Sequence, residues 1–117
     1  MKILVVDDDE SNRLLACLEL RDLGHEIISA ANGREALELF DREKPQMVTL
    51  DLELPDINGS ELLREMRKRS SSVVIVMLTG RDRNNELEFP EANSYIVKTL
   101  HCDEALKACI RKHFGGT

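Results

Sequence analysis

Several large classes of protein leave marks that this chain of 117 residues lacks. No apolar stretch approaches the roughly 20 residues of a membrane span. Cysteines are few and unpaired in pattern: Cys17, Cys102 and Cys109 are odd in number, with neither CxxC nor zinc-ligand spacing. A disulfide framework and a structural zinc site are therefore set aside, and reduced thiols are expected. Positive charge is in deficit, with 16 Lys and Arg against 22 Asp and Glu and a net charge of −6. With no basic stripe to meet phosphates, no direct contact with nucleic acid is expected. There is no internal repeat, low-complexity segment or linker, so residues 1–117 read as a single domain built on one core. Met1-Lys2 runs straight into a short apolar strand rather than a signal-peptide core, which points to a cytoplasmic protein with no membrane attachment. The methionines are scattered, and Met47, Met66 and Met77 read as core fillers.

What the chain does have is a regular alternation of strand and helix signals. Lys2 to Val6 is the first strand, and a helix follows from about Ser11 to Leu23, with Leu14, Leu15 and Leu18 on one face and Gly24 as its stop. Asp9 and Glu10 read as acidic caps for that helix. His25 to Ala30 is a second strand, and Asn32-Gly33 turns into a helix through about Arg42 with Ala36, Leu37 and Phe40 at core spacing. Gln46 to Leu50 is the third strand, Gly59 opens a helix to about Lys68, and Val73 to Leu78 is a nearly continuous apolar run. Such a run fits a central parallel strand covered on both faces. Ser94 to Val97 is a last short strand, and Asp103, read as an N-cap, begins a closing helix to His113 with Leu106, Cys109 and Ile110 inward. This pattern predicts an α/β fold, a parallel sheet with helices on both sides. Between Gly80 and Ser94 the alternation falters: Leu87 and Phe89 are badly spaced for a helix and Pro90 would break one, so the fourth crossover helix is expected to be short or irregular.

The chemistry concentrates where strands end. Asp7 and Asp8 follow the first strand, Asp51 the third, Thr79 the fourth and Lys98 the fifth. In a parallel sheet these ends share one edge, where open α/β folds place their sites. Clustered carboxylates call for a cation, and hard oxygen donors suit Mg²⁺. The set fits phosphoryl transfer to a carboxylate, with Asp51 as nucleophile, Asp7 and Asp8 holding Mg²⁺ directly or through water, Lys98 as a point charge and Thr79 as a hydroxyl donor. His25, His101 and His113 read as surface residues.

These residues resemble a known family. Lys2-Ile3-Leu4-Val5-Val6-Asp7-Asp8-Asp9, Asn32-Gly33-Arg34-Glu35-Ala36-Leu37, Asp51-Leu52-Glu53-Leu54-Pro55-Asp56-Ile57-Asn58-Gly59, Thr79-Gly80 and Tyr95-Ile96-Val97-Lys98 are similar, in order and spacing, to the motifs of the receiver domain of two-component response regulators. The resemblance spans essentially the whole chain and implies a flavodoxin-like, doubly wound (βα)5 three-layer sandwich with parallel strand order 2-1-3-4-5. It implies that Asp51 is the phosphoacceptor and that Asp7, Asp8, Asp51 and the backbone carbonyl of Glu53 hold Mg²⁺. Lys98 would contact the phosphoryl group, and Thr79 and Tyr95 would form the conformational switch. The donor implied is a phosphohistidine on a sensor histidine kinase or phosphotransfer protein. The product is an acyl phosphate that the domain helps to hydrolyse, and the output is control of a downstream protein by a shifted conformational population.

Two features depart from the family pattern. Thr99 follows Lys98 where a proline is usual, so the Lys98-Thr99 bond is expected to be trans, or else a strained cis bond at a cost of about 2.5–4 kcal/mol. The Thr79 to Lys98 segment is short, which disfavours dimerisation through that face and leads us to expect a monomer or weak dimer. Glu53 and Arg81, two residues beyond Asp51 and Thr79, are candidates for tuning the phosphoryl lifetime by hindering water. The leading reading is a stand-alone, CheY-like receiver. A phosphorylation-independent pseudo-receiver and a Mg²⁺-dependent aspartyl-phosphate hydrolase are the alternatives.

Overall fold

Residues 1–52, 54–79, 91–97 and 103–115 are described by the structure, a computed structural model. The strands are β1 (Lys2–Val6), β2 (Glu26–Ala30), β3 (Met47–Asp51), β4 (Val74–Thr79) and β5 (Ser94–Val97). The helices among the described residues are α1 (Glu10–Asp22), α2 (Gly33–Glu43), α3 (Gly59–Arg69) and α4 (Asp103–Phe114). All strand pairs are parallel and the order is β2-β1-β3-β4-β5. This is the flavodoxin-like, doubly wound sheet that the sequence implied. The fourth crossover helix was expected within residues 80–90, which lie outside the described residues.

The period-two alternation of the strands divides the core into two clusters, one on each face of the sheet. Leu4, Val6, Val48, Leu50, Ile75 and Met77 point to one face, where Ala36 and Phe40 of α2 and Leu62, Leu63 and Met66 of α3 cover them. Ile3, Val5, Met47, Val74, Val76, Leu78 and Ile96 point to the other, against Cys17 and Leu20 of α1 and Leu106 of α4. Each large side chain so buried stabilises the fold by about 1.5–3 kcal/mol. β1 and β3 lie in the middle of this three-layer stack, so their carboxyl ends are fixed by packing on both sides.

The helix starts follow local chemistry. Asp9 caps α1 by accepting the Asn12 N–H at 3.1 Å. Asn32 caps α2 through the Glu35 N–H at 2.8 Å, and Asn58 caps α3 through the Ser60 N–H at 2.8 Å. Gly24, at φ +91°, takes the left-handed turn that follows α1. Lys44 ends α2 in the same conformation at φ 49°, just before Pro45.

Three local expectations are corrected. Leu14, Leu15 and Leu18 do share a face of α1, but it is the outer one, and they are 59%, 52% and 47% exposed. Cys17 and Leu20 face the sheet instead. The rotation of the helix is set by its anchors: Asp9 caps its start, and the Arg13 guanidinium reaches back to the Asp7 carbonyl at 2.8 Å. Asp103 is the first residue of α4 rather than its cap. His113 is half-buried rather than a plain surface residue, with its Nε2 2.8 Å from the Ser94 hydroxyl. Burial, with Lys112 nearby, pushes its pKa down.

Candidate functional site

The carboxyl edge of the sheet brings the predicted acids together. Asp51 is the last residue of β3, and Asp7 directly follows β1, its N–H donating to the Ala30 carbonyl at 3.1 Å so that the β1–β2 ladder runs on to the acid. The Asp7 side chain accepts the Asp9 N–H at 2.9 Å, which folds the chain over into α1. One carboxylate oxygen from each of Asp7, Asp8 and Asp51 lies within 4.8 Å of the others. Asp7 and Asp51 are buried and Asp8 is exposed, so the cluster has two acids in its floor and one at its open side.

Like charges at that separation repel by about 3–4 kcal/mol per pair at an effective dielectric of 20. A cation relieves the repulsion. An all-carboxylate donor set suits a hard ion that keeps part of its water, which is the preference of Mg²⁺. The residues present therefore fit the metal that the sequence implied.

The wall beyond Asp51 is built from backbone. The Leu52 N–H donates to the Leu78 carbonyl at 3.3 Å, prolonging the β3–β4 ladder, and the Gly59 N–H returns to the Leu52 carbonyl at 3.0 Å. The start of α3 thus folds back onto the residue after the candidate nucleophile. Thr79 ends β4 opposite Val97 in the β4–β5 register, which sets it at the same edge one residue past Leu78, the partner of Asp51. Tyr95 lies opposite Met77, half-buried, and packs against the cluster on the α2 and α3 face. Lys98, the Lys98-Thr99 bond, Glu53, Arg81, His101 and Cys102 lie outside the described residues.

Sequence reading overlooked Arg13. Its half-buried guanidinium holds the carbonyl of Asp7 and so the orientation of the peptide that joins the two N-terminal acids. The available signal was a basic residue in the first turns of a helix that follows an acidic cluster. Of the cysteines, Cys17 is buried and Cys109 intermediate, both as free thiols. Burial raises the Cys17 pKa, against the smaller lowering effect of its hydrogen bond with Ser29. Among the described residues no helix is long and apolar enough to cross a membrane.

A doubly wound parallel sheet with three acids gathered at its carboxyl edge defines an α/β protein with a candidate cation site at the strand ends. Comparison with known proteins narrows the class. The family described as the response regulator receiver domain matches residues 3–110, and the chain belongs to it. The chain is 45% identical over 114 residues to a probable transcriptional regulator ycf27 of Porphyridium aerugineum, covering 94% of this chain and 46% of that protein. It is 41% identical over 118 residues to the alkaline phosphatase synthesis transcriptional regulatory protein PhoP of Bacillus subtilis, covering 95% of this chain and 49% of that one. The chain thus spans about half the length of the curated relatives it matches.

Among solved structures, the response regulator TrrA of Thermotoga maritima, in complex with Mg²⁺-BeF, superposes with a TM-score of 0.87 at 39% identity, covering 95% of this chain and 96% of that one. The BeF₃-activated receiver domain of RstA from Klebsiella pneumoniae gives 0.88 at 33% identity, covering 99% and 100%. The receiver domain of the sensor histidine kinase PA1611 of Pseudomonas aeruginosa, with magnesium coordinated in the active-site cleft, gives 0.85 at 25% identity, covering 98% of each chain. The chain is thus a receiver of the two-component type, CheY-like in fold, rather than an enzyme in the ordinary sense.

Proposed function

We propose that the chain accepts a phosphoryl group on Asp51 from a phosphohistidine of a sensor kinase or phosphotransfer protein, in the cytoplasm and with Mg²⁺ held by Asp7, Asp8 and Asp51. The carrying observation is the meeting of these acids within 4.8 Å at the tips of neighbouring strands. The carbonyl of Glu53 is the remaining protein ligand in this reading. A bound Mg²⁺ would neutralise charge on the phosphoryl oxygens. An Asp51 carboxylate oxygen forms the new P–O bond while the P–N bond of the donor breaks, and the imidazole leaves with the bonding electron pair. Lys98 and Thr79 close on the added charge of about −2, and Tyr95 follows Thr79, so that a partner reading that face binds better. Slow self-catalysed hydrolysis, tuned by Glu53 and Arg81, returns the domain to rest.

The first test is intact mass after incubation with acetyl phosphate. A gain of about 80 Da, one phosphoryl group, is expected with Mg²⁺ and not with EDTA. No gain in either condition, with the protein folded and Mg²⁺ bound, would favour the pseudo-receiver.

A protein donor must also cover the surface beside the pocket. The outer face of α1, with Leu14, Leu15 and Leu18, begins about one and a half turns beyond the Asp9 cap and offers exposed apolar area on the helix that starts beside the acids. The Leu14→Asp/Leu18→Asp variant is expected to slow transfer from a phosphorylated histidine protein by about tenfold or more while acetyl phosphate labelling is unchanged. Equal slowing with both donors would place the effect in the fold rather than in docking.

Transcriptional output is not assigned to these residues. The relatives named as transcriptional regulators are about twice as long, and a net charge of −6 without a basic stripe suits a protein partner better than DNA.

A further inference from the structure

The segment after Asp51 is held by a contact that neither its own helix nor its own strand supplies. The N–H groups of Gly33, Arg34 and Glu35, in the first turn of α2, need acceptors from outside the helix ladder, whose first rung is the Ala36 N–H on the Asn32 carbonyl at 3.0 Å. The Asn32 side chain takes the Glu35 N–H. The other two go to a carboxylate more than twenty residues away in sequence. The Asp56 Oδ1 accepts the Gly33 N–H at 2.8 Å and its Oδ2 accepts the Arg34 N–H at 3.0 Å.

The same junction is closed sterically. A side chain at Gly33 would run into the Ile57 methyl Cγ2, with the Asp56 Oδ1 also within 3.3 Å. Asp56 is therefore a cap delivered in trans, from the loop behind the candidate phosphoacceptor to the helix across from it. The Gly33 and Arg34 amides hold its carboxyl below the usual carboxylate range, and the positive end of the α2 dipole favours the same charge.

We propose that Asp56 is a positioning residue for the cation pocket: by tying the loop after Asp51 to the start of α2, it preorganises Asp51 and its neighbours for Mg²⁺. This inference rests on the reading of Asp51 as a Mg²⁺-dependent phosphoacceptor. One end of the loop is already fixed, because Leu52 is bonded to Leu78 and to Gly59. Without Asp56 its outer half, Pro55 to Ile57, has no such polar tie to α2 among the described residues. The loop then samples more conformations, and cation binding must order it. An ordinary cap stabilises its own helix. This one couples that helix to the pocket, and the two roles separate experimentally.

The test uses the full chain, Mg²⁺ alone as calorimetric probe, and the Asp56→Ala, Asp56→Asn and Asn32→Ala variants, all assayed well below their unfolding midpoints. Asn32→Ala removes the helix's own cap without touching the loop. Asp56→Ala is expected to weaken Mg²⁺ binding about fivefold or more. Asp56→Asn, with one acceptor oxygen left, should fall between it and the wild type. Asn32→Ala should lower the unfolding midpoint comparably while leaving Mg²⁺ affinity within about twofold of wild type. Wild-type affinity in Asp56→Ala would overturn the proposal, as would equal losses in Asp56→Ala and Asn32→Ala. If Asp56→Ala does not fold, Asp56→Asn against Asn32→Ala decides on the same criterion. A wild type that binds Mg²⁺ but takes no phosphoryl group from acetyl phosphate would sink the phosphoacceptor reading and leave the affinity comparison to judge Asp56. A wild type that does not bind Mg²⁺ would overturn both.

Discussion

Asp51→Asn is expected to take up no phosphoryl group from acetyl phosphate at any Mg²⁺ concentration and yet to be more stable than wild type in Mg²⁺-free buffer. Loss of labelling follows from replacing a carboxylate nucleophile by an amide of nearly the same shape. The gain in stability follows from the geometry. Asp51 is buried, with carboxylate oxygens of Asp7 and Asp8 within 4.8 Å. Removing one charge from that group relieves two pair repulsions of about 3–4 kcal/mol each at an effective dielectric of 20, the one with Asp8 reduced by solvent at its exposed side, and the contacts that the Asp51 carboxylate gives up offset much of this gain. A net gain of about 1–2 kcal/mol is expected. Adding Mg²⁺ should narrow or reverse the difference, because a ligand that binds the folded state stabilises it in proportion to its occupancy. The measurement is a pair of thermal melts with and without Mg²⁺ beside intact mass. A variant that still gains about 80 Da would put the acceptor elsewhere. A variant less stable than wild type without Mg²⁺ would mean that Asp51 is held by attractive contacts that outweigh the repulsion.

The second large effect is expected from Gly59→Ala. Gly59 is the first residue of α3 and packs against the backbone of the residues it follows. A Cβ there would lie 2.6 Å from the Leu52 carbonyl oxygen, 2.8 Å from the Leu52 Cα and 2.9 Å from the Asp51 carbonyl oxygen. None of these atoms is the free end of a side chain, so the strand end or the helix must shift. Overpacking of this kind costs about 1–3 kcal/mol, and here the strain falls on the peptide that joins Asp51 to Leu52. The variant should unfold at lower temperature and, in the fraction that remains folded, bind Mg²⁺ more weakly. Denaturant unfolding together with Mg²⁺ titration checks both. Unchanged stability would show that α3 can move away without cost.

The sheet was legible because Ile3 to Val6 and Met47 to Leu50 are apolar runs that stop at acids, and a parallel sheet has to bring such stops to one edge. The acid pocket was legible for the same reason. The face of α1 was not. Leu14, Leu15 and Leu18 have helical spacing, but periodicity says only that they lie together. Which side faces the sheet depends on Arg13 reaching the Asp7 carbonyl and Asp9 capping the helix, which are facts of three-dimensional placement. The roles of Arg13 and Asp56 were hidden for a related reason. Both bind backbone groups, which carry no sequence signature, and the partners of Asp56 lie on another helix altogether. The boundary at Asp103 differed by a single position, the usual fraying of a helix end.

The unequal covering of the strands has a consequence for how the molecule opens. β3 is buried along its whole length and β1 along all but its first residue, whereas β2, at the edge, runs from an exposed Glu26 through half-buried Ile27, Ile28 and Ser29 to a buried Ala30. Local opening starts where little apolar surface is covered, and the last strands to separate are those enclosed on both faces. Excursions that release β2 from the edge therefore leave β1 and β3 side by side. The β1–β3 pairing then still holds Asp7 and Asp51 at neighbouring strand ends, while Asp7 gives up its N–H bond to the Ala30 carbonyl, so release of the edge strand is expected to loosen the acid cluster from one side without dispersing it.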